Sequence, residues 1–199
     1  HLKDIKDWQE LKNEVVCGDC LEGMKLIPDK GIDLVLTDPP YGIEVYKGES
    51  GSKRGESKAA RKIYNCEWDN EPPSQELIDK MIGISKHQVI FGGNYFKLPT
   101  SPCWIVWDKN NGDNGYADCE LAWTNFRSVC RLYKKASEKR NRIHPTQKPV
   151  ELFLWSIKKF KVEFNIVLDL FLGSGSTLIA VEKLNRKCYG MELDEKYCD

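Results

Sequence analysis

The chain has 199 residues, of which 41% are hydrophobic and 30% charged, with 15 glycines and 9 prolines. This composition is typical of one globular domain and excludes collagen, a coiled coil and a wholly disordered chain. No uncharged apolar stretch approaches the ~18 residues that a membrane span needs, and the N-terminus does not resemble a signal peptide. We therefore expect a single domain over residues 1–199 that is soluble and cytoplasmic, with no membrane partner.

The formal net charge is zero, but basic residues are concentrated in two segments. Residues 127–148 contain eight Lys or Arg against Glu138 alone, and residues 47–62 contain six against two Glu. A localised basic surface favours polyanion binding, although solvated loops would have the same composition. We interpret residues 42–66 as a flexible basic loop and residues 125–143 as a short basic recognition segment.

Eight cysteines raise the question of a disulfide or zinc framework. Only Cys17 and Cys20 have CxxC spacing, and the three histidines are scattered along the chain. Tetrahedral zinc needs four converging ligands, so we expect no metal. Reduced thiols that serve as small hydrophobic side chains are the better interpretation.

Short apolar segments rich in β-branched and aromatic residues alternate with helix-like segments. Ser74 is a predicted N-cap, Pro149 is predicted in the first turn of a second helix, and Ser176 is predicted to open a third. Strands are predicted at residues 15–17, 32–37, 88–91, 103–107, 119–124, 166–170 and 187–191. Apolar strands separated by helices predict an α/β fold with a mostly parallel seven-stranded sheet and helices on both faces.

The segment VLDLFLGSGST at residues 167–177 leads from a buried strand through a Gly-Ser-Gly turn into a helix. Glycines let the backbone approach a ligand there, and the N–H groups of the first helical turn favour negative charge. Glu192 ends the next strand, 17 residues after Gly175, within reach of ribose hydroxyls. The pattern predicts a nucleotide-like ligand, but the missing third glycine disfavours NAD or FAD.

A second motif, TDPPY at residues 37–41, follows the predicted strand 32–37. Ligands bind outside the carboxyl edge of parallel sheets, which is where this turn should lie. Asp38 offers an anionic acceptor, the Pro39 carbonyl a second acceptor, and Tyr41 an aromatic face. This set suits a planar ring with an exocyclic NH2 group, although an ordinary Asp-Pro turn contains the same residues.

These two motifs, with GDC at residues 18–20, FGGNY at 91–95, HPTQKP at 144–149 and GMELD at 190–194, cover nearly the whole chain. Together they resemble the amino-group DNA methyltransferases that use S-adenosylmethionine, in the permuted motif order of the beta group. The resemblance implies a Rossmann-like methyltransferase fold, S-adenosylmethionine as cofactor, and a bacterial or phage enzyme of the restriction-modification type.

The resemblance also implies roles for individual residues. Asp38 and the carbonyl of Pro39 would accept hydrogen bonds from the target amino group, and Tyr41, after Pro40 in the same turn, would stack on the flipped base. The implied cofactor-binding residues are Asp19, Cys20, His144, Thr146, Lys148, Asp169, Phe171, Gly173, Ser174, Gly175, Thr177 and Glu192.

The implied partner is double-stranded DNA with a flipped adenine, since Asp at position 38 goes more often with adenine N6 than with cytosine N4. Only about 20 residues separate Trp123 from His144, so we expect either a short recognition site or help from a second subunit in a homodimer. Cytosine-N4 methylation and a non-catalytic nucleic-acid-binding module of the same fold stay open as alternatives. Phosphate contacts are predicted for Lys53, Arg54, Arg140 and Arg142.

Overall fold

The computed structural model describes residues 1–11, 14–43, 71–112, 117–137, 144 and 146–198. The strands in these ranges are β1 (Val15–Cys17), β2 (Ile32–Thr37), β3 (Ser85–Phe91), β4 (Trp104–Asp108), β5 (Cys119–Thr124), β6 (Arg131–Lys134), β7 (Ile166–Asp169) and β8 (Lys187–Glu192). The α-helices are α1 (Cys20–Met24), α2 (Gln75–Ile84), α3 (Val150–Lys159) and α4 (Ser176–Glu182). Most of the predicted loop at residues 42–66 lies outside the described residues.

The eight strands form one sheet in the order β1-β8-β7-β2-β3-β5-β4-β6. All described pairs are parallel except the two that β5 makes with β3 and β4. The prediction of a mostly parallel α/β sheet is confirmed, but the prediction of seven strands is wrong by one.

The additional strand, β6, lies in the segment that we interpreted as a basic recognition segment. It is a short edge strand that pairs with β4 alone, and Leu132 is 63% exposed. Lysines are common on edge strands because they oppose pairing with another sheet. The basic composition of the predicted recognition segment is therefore compatible with a strand at this position.

Helices cover both faces of the sheet, as predicted. Successive residues of a strand point to opposite faces, and Leu34 and Val35 of β2 accordingly belong to two different core clusters. The cluster around Leu34 includes Phe153 of α3 and Val181 of α4. The cluster around Val35 includes Met24 of α1 and Met81 of α2. The sheet is thus buried on both faces, which explains its continuous apolar strands.

The three predicted helix starts fall within one residue of the observed ones. Ser74 caps α2 as predicted, because its Oγ accepts a hydrogen bond from Leu77 N at 3.2 Å. Pro149 is the N-cap of α3 rather than part of its first turn. Gly175 is the N-cap of α4, with a left-handed backbone (φ 70°) that glycine adopts without steric cost.

The direction of β5 matters for the site. Because β5 runs against its neighbours, its first residues lie at the edge where β2, β3 and β4 end. Trp107, near the end of β4, pairs with Glu120, near the start of β5. Within the described ranges, no helix is long and apolar enough to cross a membrane.

Candidate active site

A cleft of about 320 Å³ opens at the carboxyl edge of the sheet. This volume is within the range of small-molecule sites. Its walls contain most of the residues that the sequence predicted for catalysis and cofactor binding: Asp19, Cys20, Asp38, Pro40, His144, Thr146, Lys148, Asp169, Phe171, Gly173, Ser174, Thr177 and Glu192. Pro39, Tyr41 and Gly175 are chain neighbours of these wall residues.

The glycine turn approaches the cleft between β7 and α4. Gly173 and Gly175 have φ angles of +52° and +70°, and a Cβ atom on Gly175 would meet no atom within 4 Å. The backbone N–H of Gly173 donates to the Glu192 carboxylate at 2.7 Å, and the N–H of Asp194 donates to it at 2.9 Å. Glu192 is therefore fixed at the end of β8, beside an open side of the turn.

Asp169, at the end of β7, is almost completely buried. Its Oδ1 accepts hydrogen bonds from Thr37 Oγ1 at 2.7 Å and from Phe171 N at 3.1 Å. Burial nevertheless raises the pKa of Asp169 to about 6, because these bonds offset only part of the desolvation. The residue links the ends of β2 and β7 below the glycine turn.

His144 packs against the glycine turn from the side of the HPTQKP segment. Its Nδ1 lies 3.0 Å from Thr146 Oγ1, and its ring meets Tyr197 edge to face at 4.6 Å between centroids. Burial lowers the pKa of His144 to about 4, so the imidazole is neutral at physiological pH. The neutral ring thus contacts Thr146 of its own segment and Tyr197 near the end of the described residues.

Asp19 and Cys20 lie where β1 turns into α1. The Asp19 carboxylate caps this helix by accepting from Leu21 N at 2.8 Å. Burial raises the pKa of the Cys20 thiol to about 12, so this thiol is protonated and unreactive at neutral pH.

Asp38 is the centre of a largely buried polar cluster at the carboxyl end of β2. Its Oδ1 accepts a hydrogen bond from the Tyr41 hydroxyl at 2.7 Å, and its Oδ2 forms an ion pair with the ammonium of Lys148. Burial raises the pKa of Asp38 against the opposing effect of Lys148. Lys148 thus lines the predicted cofactor cleft, but its ammonium contacts the predicted catalytic carboxylate.

Glu120 and Lys109 extend this cluster, and neither belongs to a motif that the sequence predicts to be functional. The Lys148 ammonium lies 3.1 Å from Glu120 Oε2, and Lys109 Nζ lies 2.6 Å from Glu120 Oε1. Burial would raise the pKa of Glu120, but the two lysines outweigh it and lower this pKa to about 2. A single acidic residue in the apolar strand CELAWT was the available signal.

The Tyr41 ring contacts Tyr95, the last residue of the FGGNY segment, and Phe96, which follows it. Tyr95 stacks on it at 4.9 Å with an interplanar angle of 15°, and Phe96 meets it edge-on at 6.4 Å. A Cβ atom on Gly92 would come within 2.0 Å of the ring, so only glycine fits at this position. The predicted stacking residue thus already has one aromatic partner, and Tyr95 itself is 47% exposed.

The four residues predicted to contact DNA phosphates lie outside the described residues. These are Lys53, Arg54, Arg140 and Arg142. Their role stays a prediction from composition.

An α/β domain with a glycine turn and a DPPY turn at one sheet edge is the architecture of a methyltransferase. Comparisons with known proteins agree. The sequence profile of the N6/N4 DNA methylase family matches residues 70–199, and the chain belongs to this family. Its members are S-adenosylmethionine-dependent enzymes that methylate the exocyclic amine of adenine or cytosine, so the amino DNA methyltransferase class common to both bases and the predicted cofactor are confirmed.

The chain is similar to individual members over most of its length. It is 25% identical to the type II methyltransferase M.HinfI of Haemophilus influenzae over 94% of this chain, and it spans 66% of that relative. A solved complex of M1.HpyAVI with S-adenosylmethionine superposes with a TM-score of 0.56 and 21% identity, covering 93% of this chain and 95% of that one. The cytosine-N4-specific PvuII DNA methyltransferase gives a TM-score of 0.60 and 17% identity, over 92% and 83% of the two chains.

Proposed function

We propose that this protein transfers a methyl group from S-adenosylmethionine to the exocyclic N6 amine of adenine in double-stranded DNA. The observation that carries this proposal is the contact between Lys148 and Asp38: a largely buried carboxylate in the wall of the cleft already accepts from an ammonium group. The exocyclic amine of a base is a neutral and weaker donor, but it offers N–H groups to the same acceptor.

The cleft is the proposed cofactor site, and the residues in it fit that cofactor. The carboxylates of Asp19 and Glu192 suit the adenine amino group and the ribose hydroxyls, as the family resemblance implies. The open space beside Gly175 leaves room for the ligand to approach the backbone. Phe171 adds an apolar wall, and Thr146 lies on the HPTQKP side of the same cleft.

S-adenosylmethionine supplies an activated methyl group on a sulfonium. An amine on an aromatic ring is a poor nucleophile, because its lone pair is conjugated with the ring. Hydrogen bonds from its two N–H groups to Asp38 and the Pro39 carbonyl favour a tetrahedral nitrogen with a localised lone pair. Positioning and electrostatics are then the main demands on the protein.

In the proposed step, the nitrogen lone pair forms the new N–C bond while the electrons of the S–C bond return to sulfur. The nitrogen then carries one proton in excess, which is lost through Asp38 to solvent. The raised pKa of Asp38 is compatible with this transfer. The target base must leave the duplex stack to reach the carboxylate, so we include base flipping in the proposal, with Tyr41 as the stacking residue.

The proposed DNA contacts are the basic side chains Lys53, Arg54, Arg140 and Arg142. Phosphate contacts of this kind position a duplex but do not read its sequence. Few residues are available to contact base edges. The proposal therefore includes either a short recognition site or a homodimer in which the second subunit supplies further base contacts.

Mass analysis of the product tests the proposed function. The protein is incubated with unmodified genomic DNA and S-adenosylmethionine labelled in the methyl group, and the DNA is digested to nucleosides. We expect labelled N6-methyladenine. Labelled N4-methylcytosine in its place would support the cytosine alternative, and DNA without label would support the non-catalytic alternative.

A further inference from the structure

Both oxygens of the Asp38 carboxylate already have a donor from the protein. The Tyr41 hydroxyl donates to Oδ1 at 2.7 Å, and the Lys148 ammonium pairs with Oδ2. A carboxylate can accept up to about four hydrogen bonds, but a target amine that binds Asp38 shares it with two donors in a largely buried site, and one of them is a cation that opposes positive charge on the attacking nitrogen. Each displaced donor needs another acceptor, because an unpaired buried ammonium or hydroxyl is costly.

Glu120 lies within reach of both donors. Its Oε2 is 3.1 Å from Lys148 Nζ and 3.5 Å from the Tyr41 hydroxyl. Its other oxygen, Oε1, contacts Lys109 Nζ at 2.6 Å, so a second lysine holds the carboxylate in place. The Lys148 ammonium thus lies between two carboxylates, and a small movement transfers it from one to the other.

The charges of this cluster balance. Two carboxylates, Asp38 and Glu120, pair with two ammonium groups, Lys148 and Lys109. The pKa of Glu120 is about 2, so this carboxylate is ionised at any pH relevant to the enzyme. Burial would lower the pKa of Lys148, but the two carboxylates outweigh it and raise this pKa. The lysine therefore stays charged, whichever carboxylate it contacts.

We propose that Glu120 is a positioning residue for methyl transfer, which accepts the Lys148 ammonium and the Tyr41 hydroxyl when the target amine takes their place on Asp38. The inference rests on the proposed function, because it concerns the amine that Asp38 binds. Without Glu120, Lys148 remains on Asp38, competes with the base and neutralises the carboxylate that should stabilise positive charge on the attacking nitrogen.

The test is a double-mutant cycle of Glu120→Gln and Lys148→Met, measured as single-turnover methyl transfer to DNA at saturating cofactor. We expect Glu120→Gln alone to lower the transfer rate constant at least about 10-fold and to leave the Kd of S-adenosylmethionine within about 2-fold. In the Lys148→Met background the competing ammonium is gone, so the same substitution should cost less than about 3-fold. Equal fold losses in both backgrounds, or a Glu120→Gln variant as fast as wild type, would overturn the inference.

A pH profile separates this role from a purely structural one. The charged or titratable groups that face Asp38 are Lys148 before α3, Glu120 of β5, Tyr41 of the same turn and Asp169 at the end of β7. The transfer rate should fall at acid pH as Asp38 becomes protonated, and we call this fall the acid limb. The negative charge of Glu120 raises the pKa of Asp38, so Glu120→Gln should move the acid limb to lower pH. An unmoved acid limb would contradict the inference.

Two further variants control this experiment. Glu22→Gln removes an exposed carboxylate that also pairs with a lysine, Lys25 at 2.5 Å, and should change neither the rate nor the acid limb. Should Glu120→Gln fail to give a cooperative thermal unfolding transition, Lys109→Met tests the same point. It leaves Glu120 in place but removes the ammonium that contacts its Oε1, so the transfer rate constant should fall while the Kd of S-adenosylmethionine stays within about 2-fold.

Methyl transfer by the wild-type protein shows whether a negative result concerns the proposed function or only the role of Glu120. If it transfers no methyl group to DNA, the proposed function fails. If it is active and Glu120→Gln behaves like Glu22→Gln, the proposed function stands and the role of Glu120 fails.

Discussion

The ammonium of Lys148 is paired with the carboxylate of Asp38, although 110 residues separate them in the chain. They meet because β2 ends, and α3 begins, at the same edge of the sheet. The backbone is fixed on the lysine side as well, since the Lys148 carbonyl accepts from Ser176 Oγ at 2.9 Å. The pair thus connects the proposed catalytic turn with the first turn of α4, beside the proposed cofactor site.

Replacing Gly175 by Val should abolish binding of S-adenosylmethionine, because a branched side chain would occupy the space beside the turn. Gly112→Val is the matched control: both glycines have a φ of +70°, and a Cβ atom on either would meet no atom within 4 Å. Gly175 lies between Ser174 and Ser176, which line the cleft, whereas no described residue near Gly112 in the chain does. Both variants should lose about 1–2 kcal/mol of stability from backbone strain. Equilibrium cofactor binding should separate them, and equal affinity in the two variants would remove the glycine turn from the site.

Replacing Gly92 by Ala should lower methyl transfer and spare the cofactor affinity. The new Cβ atom would clash with the Tyr41 ring, 2.0 Å away, and would push this ring from its stacked position on Tyr95. Gly83→Ala in α2 meets no atom within 4 Å and should stabilise the protein by about 0.5–1 kcal/mol. Rates and thermal unfolding of both variants check this, and unchanged transfer in Gly92→Ala would show that the position of Tyr41 is unimportant.

The sequence predicted several strands well, because their apolar runs are bounded by turn residues; the edge strand β1 and the inner strands β2 and β5 match to the residue. It did not predict α1, which has only five residues, or β6, which pairs on one side and buries little. Hydrophobic pattern also carries no information on strand direction.

The same limit explains which site residues were found. Asp38 and Gly175 were identified because short motifs around them have a chemical interpretation. Glu120 was missed because it reaches Lys148 only through the antiparallel direction of β5. Its contribution depends on tertiary structure, which a local motif does not encode.

Replacing Asp169 by Asn should stabilise the protein at neutral pH. The pKa of this carboxyl is raised from 3.8 to about 6 by burial, so the folded state binds its proton more tightly than the unfolded state does. The resulting stability is complete below about pH 4 and is lost as the pH rises through 6. Asn keeps an oxygen for the donors Thr37 Oγ1 and Phe171 N without the buried charge.

At pH 7.5, we therefore expect Asp169→Asn to raise the free energy of unfolding by about 2 kcal/mol relative to wild type. The gain should disappear near pH 4. Asp79→Asn, on the exposed side of α2, is the control and should change stability by less than about 0.5 kcal/mol. Thermal or urea unfolding across this pH range is the measurement, and a gain that does not depend on pH would contradict the assigned cause.

Replacing both Arg140 and Arg142 by Gln should weaken binding to all DNA sequences by the same factor. If both side chains contact phosphates, the slope of log K against log salt concentration should decrease by about 2. Lys158→Gln with Lys159→Gln, at the far end of α3, removes the same charge and should leave the slope unchanged. Binding titrations between low and moderate salt decide between these outcomes, and equal slopes in the two double variants would refute the assignment.

The most direct test of the account is single-turnover methyl transfer by Asp38→Asn, measured together with the Kd of S-adenosylmethionine. Asp33→Asn, at the opposite end of the same strand, is the matched control. Since Asp38 is proposed to bind the target amine, we predict a rate loss of at least about 100-fold in Asp38→Asn, with a Kd within about 3-fold of wild type. The control should keep both values. Near-wild-type transfer by Asp38→Asn would contradict the central claim.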